Sequence, residues 1–472
     1  MYLTKIPKDN HKYILPTLES VTDILSLSSG LVNIPAIGFK DGLGLINKDK
    51  CSIMLNIESK KSFHNELRKQ MQIEINVQDK NYISKDALFR KEAPQLYKSN
   101  IKYTLELHNI LWGYLTDNLF FRMVLPVENH FLHMFLLPIK SFIWEKASCF
   151  SLIKTSLNGC NYDIFEITFN NANYLIIECD SVLNINDFYN QSISILLVLG
   201  FFTSFFIQNE CFILGSGDKD YQKTEYIEYR ALRESISMPF RFLGNDLSAY
   251  TNEKNTTRFL TNMPKILQEP LDELVKLCHN NNEVLNCLFV FTASSCYPLD
   301  TRPACISVAL EGICNFIYGI NKERLNPIKD RIIAKDIKTK IMTLLKLYKD
   351  IIDEEAFIVL EKRINDLNSP TNLEKLLKPY ELLGIKLKKY EIIAIKNRNN
   401  FLHSNLVYET GIEIKDSNSE AYQLFFICNV LSRLFYKLIL KLINYKGTMI
   451  NNIKADEYIH GEMLDEELLI EI

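Results

Sequence analysis

The sequence predicts an α+β multidomain protein: a β-rich, sandwich-like N-terminal domain followed by an all-α helical-bundle domain. Three observations carry this. Period-two alternation of apolar and polar residues recurs in the first half, most clearly over Met71, Ile73, Ile75 and Val77 and over Ile101, Tyr103, Leu105 and Leu107. The second half carries 3.6-residue apolar periods instead, above all Leu424, Ile427, Cys428, Leu431, Leu434, Phe435, Leu438 and Leu442. Between them, Gly215 to Thr224 is the most turn-rich polar break in the chain. With 472 residues, more than one core is needed. The boundaries read as 1–214 for the β-rich recognition or control domain, 215–262 for a linker and connecting segment, and 263–472 for the helical domain.

Each element has a local reason. Ile53, Leu55 and Ile57 form a shorter alternating run. Phe165-Ile167-Phe169 and Leu175-Ile177-Cys179 flank Asn170 to Asn173, a hairpin turn, because asparagine tolerates left-handed backbone. One-sided alternation implies antiparallel sheets packed face to face. Asn186 is placed to cap a helix through the apolar stretch that ends near Phe206, and this stretch is too short to span a bilayer comfortably. Pro303 in a first turn opens a helix from about Arg302 to Tyr318. Ser417 and Glu420 make a capping box for the last long helix, and Gly447 supplies its stop.

Composition excludes several classes. The chain is 47% hydrophobic and 24% charged, as in folded globular proteins, and its net charge of −3 confines any nucleic-acid surface to a local patch. Residues 321–349 hold nine basic and three acidic side chains; residues 455–472 hold seven acidic and no basic ones. The N-terminus lacks the pattern of a signal peptide. Eleven cysteines include no Cys-x-x-Cys pair, so reduced thiols in a cytoplasmic protein are expected, with no metal and no cofactor. His130 and His133 point to opposite faces of a strand and do not suggest a metal site.

The chemistry concentrates at Lys396-Asn397-Arg398-Asn399-Asn400-Phe401-Leu402-His403. A guanidinium holds a phosphate bidentately at any pH, and an imidazole exchanges protons near neutrality. Arg398 and His403 are five residues apart, about 140° round an unbroken helix, so the helix must end or bend for both to face one point. Asn399 and His403, four apart, share a face, so Asn399 can orient the imidazole. The same residues also suit a helix C-terminal cap, with Arg398 on the surface. Glu311 is the sole charge between Pro303 and Ile320; either it faces solvent in a stripe with Ser307 and Asn315, or it meets Arg398 and steadies its fork. Lys386, Lys388, Lys389 and Lys396 are candidates for an RNA backbone, with solvated helix faces as the alternative.

Arg-Asn-x-x-x-His between two long helical patterns resembles the HEPN family of ribonucleases, and the C-terminal half is similar to the ApeA-type HEPN domains of bacterial anti-phage proteins. The resemblance covers roughly residues 263–472 by helix order. It implies a metal-independent endoribonuclease in anti-phage defence, abortive infection or a toxin role. Catalytic residues would be Arg398 on the scissile phosphate, His403 as general base or acid and Asn399 orienting either, with Glu311 in support. The implied partners are RNA, tRNA among the substrates, a second copy through the HEPN domain, and a phage-derived trigger or antitoxin-like protein, with no membrane. The alternatives are a non-catalytic HEPN scaffold for RNA binding or dimerisation, and a HEPN toxin controlled by a partner protein.

Overall fold

The structure is a computed structural model, and it describes residues 14–49, 52–60, 71–94, 101–116, 119–128, 140–144, 147–208, 210–231, 236–237, 265–398, 420–457 and 464–472. The chain is mixed α and β, with strands gathered in the first half and helices in the second. Its contacts divide it into two compact units, Met1–Asn280 and Asn281–Ile472.

The first unit opens with α1 (Ile14–Leu25) and continues through strands β1 (Ser29–Ile34), β2 (Phe39–Asp49), β3 (Ser52–Ser59), β4 (Met71–Val77), β5 (Lys80–Pro94), β6 (Ile101–Leu107), β7 (Asn109–Gly113), β8 (Phe120–Val127), β9 (Lys140–Trp144), β10 (Ala147–Leu157), β11 (Cys160–Phe169) and β12 (Ala172–Cys179). Helix α2 (Ile185–Thr203) follows, then β13 (Phe205–Phe206), β14 (Glu210–Ser216), β15 (Tyr226–Ala231), β16 (Ile236–Ser237) and helix α3 (Gln268–Asn280). Strands β13 and β16 form a small pair of their own.

The other strands share one antiparallel sheet of 14, in the order β4-β1-β2-β3-β6-β5-β7-β15-β14-β8-β12-β11-β10-β9. Strand β4 also pairs with β5, from Met71 opposite Ala87 to Val77 opposite Lys80, so β4, β1, β2, β3, β6 and β5 close into a barrel. This corrects the sandwich expectation. One-sided alternation fixes which face is dry, but ring closure satisfies it as well as a second sheet does. The barrel interior takes the alternate residues foreseen, with Ile73, Ile75, Tyr103, Leu105 and Leu107 fully buried.

Beyond the barrel, the sheet is covered on both faces. On one, Ile14, Leu18 and Val21 of α1 enter the core, and Thr17 accepts a 2.7 Å hydrogen bond from Arg122. On the other, Phe188 of α2 stacks on Phe121 at 5.5 Å, and Tyr162 donates to Gln191 at 2.7 Å. Because Arg122 and Phe121 are adjacent on β8, they mark opposite faces. Helix α2 is a buried core helix, capped by Asn184, whose side chain accepts from the Asn186 N–H; the cap thus falls two residues before the expected Asn186. The β11–β12 hairpin turns on Asn170 and Asn171, both left-handed (φ 49° and 62°), as the sequence predicts.

The stretch 215–224, read from composition as the start of a linker, instead connects β14 to β15 within the sheet, where Leu214 pairs with Ile227 and Gly215 with Tyr226. Helix α3 packs on α2 and β10, so residues 268–280 belong with the first unit and the helical unit starts at Asn281.

The second unit contains α4 (Asn282–Ala293), α5 (Arg302–Ile320), α6 (Lys322–Leu325), α7 (Arg331–Lys346), α8 (Glu354–Asn365), α9 (Asn372–Leu382), α10 (Lys389–Lys396), α11 (Glu420–Leu442) and α12 (Asn452–Ala455). One short ladder departs from an all-α reading: β17 (Thr448–Ile450) pairs with β18 (Leu469–Glu471). The acidic C-terminal stretch is therefore partly docked as a strand. Helix α11 is buried nearly all round, packing on α5 and α10, with Phe291 of α4 stacked on Phe435 at 4.3 Å. It stops at a left-handed Asn444 (φ 53°), with the Tyr445 N–H bonded to Leu440 O, so Asn444 and not Gly447 ends it. Its expected Ser417 cap lies outside the described residues. Among the described residues, α5 and α11 are the two helices long and apolar enough to cross a membrane, and within α11 that stretch is 89% buried inside the fold.

Candidate functional site

Helix α10 positions the motif. Its N-terminus is held by Glu391, whose carboxylate accepts the Lys388 backbone N–H at 2.8 Å, and it ends at Lys396 with Asn397 at the C-cap, so Arg398 follows directly. The Arg398 side chain is only 8% exposed. Its Nε lies 3.4 Å from Oε2 of Glu311 on α5, whose side chain is 40% exposed. This is ion-pair distance, yet among the described residues the buried Nε makes no hydrogen bond. Of the two readings of Glu311, the structure has the one that meets Arg398. The polar stripe expected beside it does not hold together, since Ser307 is buried and Asn315 exposed. Asn399 and His403 lie outside the described residues, as do His130 and His133. Cys314, one turn from Glu311, has its thiol pushed up by burial, and Cys287 is likewise raised to about 11. Such thiols are inert packing groups.

Behind α10 sits a constellation that sequence reading passed over. Arg433 and Lys437 of α11 are buried and converge on Glu391, which is fully buried. Arg433 Nη2 donates to Glu391 Oε1 at 2.8 Å and Lys437 Nζ to the same oxygen at 2.9 Å. Arg433 Nη1 reaches Glu466 at 2.8 Å and Asn451 at 3.0 Å, and Nη2 also donates to the Tyr390 hydroxyl. Glu466, from the acidic C-terminal stretch, further accepts from Asn451 at 2.8 Å, from Tyr390 and from Lys388 at 2.6 Å. Burial alone would raise both carboxyls. The cations outweigh it: Arg433 and Lys437 hold Glu391 below its ordinary value, and Arg433 with hydrogen bonds from Lys388, Tyr390 and Asn451 holds Glu466 at about 2. The sequence signal was available. Asn429, Arg433 and Lys437 recur every four residues on a mostly apolar helix, a polar seam that demands partners.

Of the lysines proposed for RNA, Lys386, Lys389 and Lys396 are exposed, whereas Lys388 is engaged with Glu466. Among the described residues, no group of histidine, cysteine, aspartate and glutamate side chains could hold a metal ion.

The first unit has its own polar cleft, of about 520 Å³, between β10, β11 and α3. Most of its acids are engaged by neighbours: Asp272 accepts from Thr155 at 2.6 Å, Asp163 pairs with Lys154 at 3.0 Å, and Asp180 accepts from Asn161 at 2.8 Å. At its back, Glu178 takes two hydrogen bonds from the buried Arg122, whose guanidinium lies 3.9 Å from the ring of Tyr221. These contacts tie the sheet to its flanking segments, a structural task. Comparison of the chain with family models, curated proteins and solved structures finds no match.

Proposed function

We propose that the chain is a metal-independent endoribonuclease of the HEPN type, acting in anti-phage defence or as a toxin, with its active site at the α10 terminus. RNA carries its own nucleophile. The 2′-oxygen attacks phosphorus, the bond to the 5′-oxygen breaks, and the products are a 2′,3′-cyclic phosphate and a 5′-hydroxyl. The protein needs only to move two protons and to stabilise the charged intermediate. His403 takes or gives a proton, Arg398 holds the scissile phosphate and Asn399 orients either. The active unit is a homodimer, because each chain brings one imidazole to a reaction that uses both a base and an acid.

The observation that carries this reading is the pairing of Arg398 with Glu311 just past the end of α10. A carboxylate 3.4 Å from the buried Nε steadies the guanidinium, whose two Nη groups would supply the fork for a bound phosphate. A second reading is favoured by the 8% exposure of the same side chain: Arg398 as a structural ion pair in a non-catalytic, RNA-binding scaffold. Expressing wild type beside His403→Ala and scoring growth and RNA integrity separates the two. Growth arrest with RNA breakdown, lost in the variant, supports the nuclease; identical behaviour of the two proteins supports the scaffold.

A further inference from the structure

Helices α7 and α8 form a hairpin that the rest of the fold hardly covers. Of the twenty large apolar side chains exposed among the described residues, nine fall between Ile332 and Leu367, a concentration that marks an interaction surface. Helix α7 buries only Leu345, and α8 buries no residue. On α7, Ile333, Ile337 and Leu344 follow a helical period, with Ile333 and Leu344 exposed and Ile337 half-buried, and Tyr348 extends the row just past the helix end. The turn beyond it adds Leu347 and Ile351, 74% and 80% exposed.

The charge on the two arms identifies what covers this face. Residues 331–349 carry six basic and one acidic side chain, whereas 350–366 carry six acidic and two basic ones. Among the described residues, no ion pair joins α7 to α8. The pairs formed are Lys340 with Asp336 inside α7 and Arg331 with Glu323 on α6. The two arms are thus opposite in sign and not neutralised by each other. A two-fold axis through such a hairpin sets each basic arm against the acidic arm of the other copy, so self-pairing satisfies both arms at once.

We propose that the exposed apolar face of the α7–α8 hairpin docks on the same face of a second copy of this chain, forming a four-helix contact in which α7 of each copy lies along α8 of the other. This assignment does not rest on the nuclease reading, since it concerns a surface and not the motif.

Sedimentation of the full chain tests it without RNA. Wild type is expected to sediment as a larger assembly than Leu344→Glu with Leu347→Glu, which loses one self-association step with unchanged circular dichroism. Two charge-reversed proteins give the sharper result. One carries Lys338→Glu and Lys346→Glu, the other Glu354→Lys and Glu361→Lys. Each alone is expected to sediment like the paired-glutamate protein, while their one-to-one mixture regains the wild-type size, which also shows that both fold. A monomeric wild type overturns the proposal, as does one that instead floats with phosphatidylserine vesicles, since that makes the face a lipid surface. A sedimentation coefficient unchanged by the paired glutamates, or charge-reversed proteins that fail to regain the wild-type size on mixing, also overturns it. Those last two results leave RNA cleavage, and a dimer through the motif face, untouched.

Discussion

Arg398 concentrates the question of function in one side chain. It is nearly buried, yet its partner Glu311 is open to water, so the pair is asymmetric: the carboxylate can rehydrate if the cation is removed. A surface pair is worth about 0–1 kcal/mol, and lysine keeps a cation beside this hydrated carboxylate, so no buried charge is left unpaired. Arg398→Lys is therefore expected to cost about 1 kcal/mol or less in denaturant unfolding while abolishing RNA cleavage, because an ammonium lacks the bidentate fork. Full cleavage by the lysine variant contradicts the assigned role. Arg398 and Glu311 could be linked from the sequence because Glu311, the sole charge between Pro303 and Ile320, needs a cation. The network around Arg433 was not foreseen, since Glu391, Arg433 and Glu466 are far apart in the chain and only the tertiary fold reveals that they share one buried point.

At the scale of elements, that network fastens α10 to α11 and to the C-terminal segment. Removing one partner of a buried pair leaves an uncompensated charge and costs about 3–5 kcal/mol, whereas exchanging all partners for apolar groups is often neutral. Glu391→Ala is thus expected to lose about that much stability. The combination of Glu391→Leu, Arg433→Met, Lys437→Met and Glu466→Gln should recover most of it, as read by urea unfolding. Glu466 sets a pH dependence. Its carboxyl is held at about 2 in the fold against an ordinary 4.5, so its contribution is complete above about 4.5 and fades as pH falls toward about 2. The stability difference between wild type and Glu466→Gln should shrink over that window. A difference constant with pH contradicts the ion pairing. The individual strands and helices were largely legible, because period two and period 3.6 report which face of each element is dry. Sheet closure was not, since β4 meets β5 through backbone pairing that no side-chain pattern records. The 215–224 stretch misled because a hairpin turn and a linker share the same glycine-rich, polar composition.

Taken whole, the molecule joins a β unit whose polar cleft is mostly satisfied internally to a helical unit that carries the motif. The central claim is chemical: cleavage that uses the 2′-hydroxyl of RNA and side chains alone. The described residues converge on no cluster suited to a metal, in keeping with such a mechanism but not a test of it. The most direct test is to incubate the purified chain with RNA in excess EDTA and identify the ends of the fragments. The account predicts undiminished cleavage leaving 2′,3′-cyclic phosphate and 5′-hydroxyl ends, absent with His403→Ala. Intact RNA in EDTA with cleavage restored by a divalent cation, or fragments bearing 5′-phosphates, would contradict it.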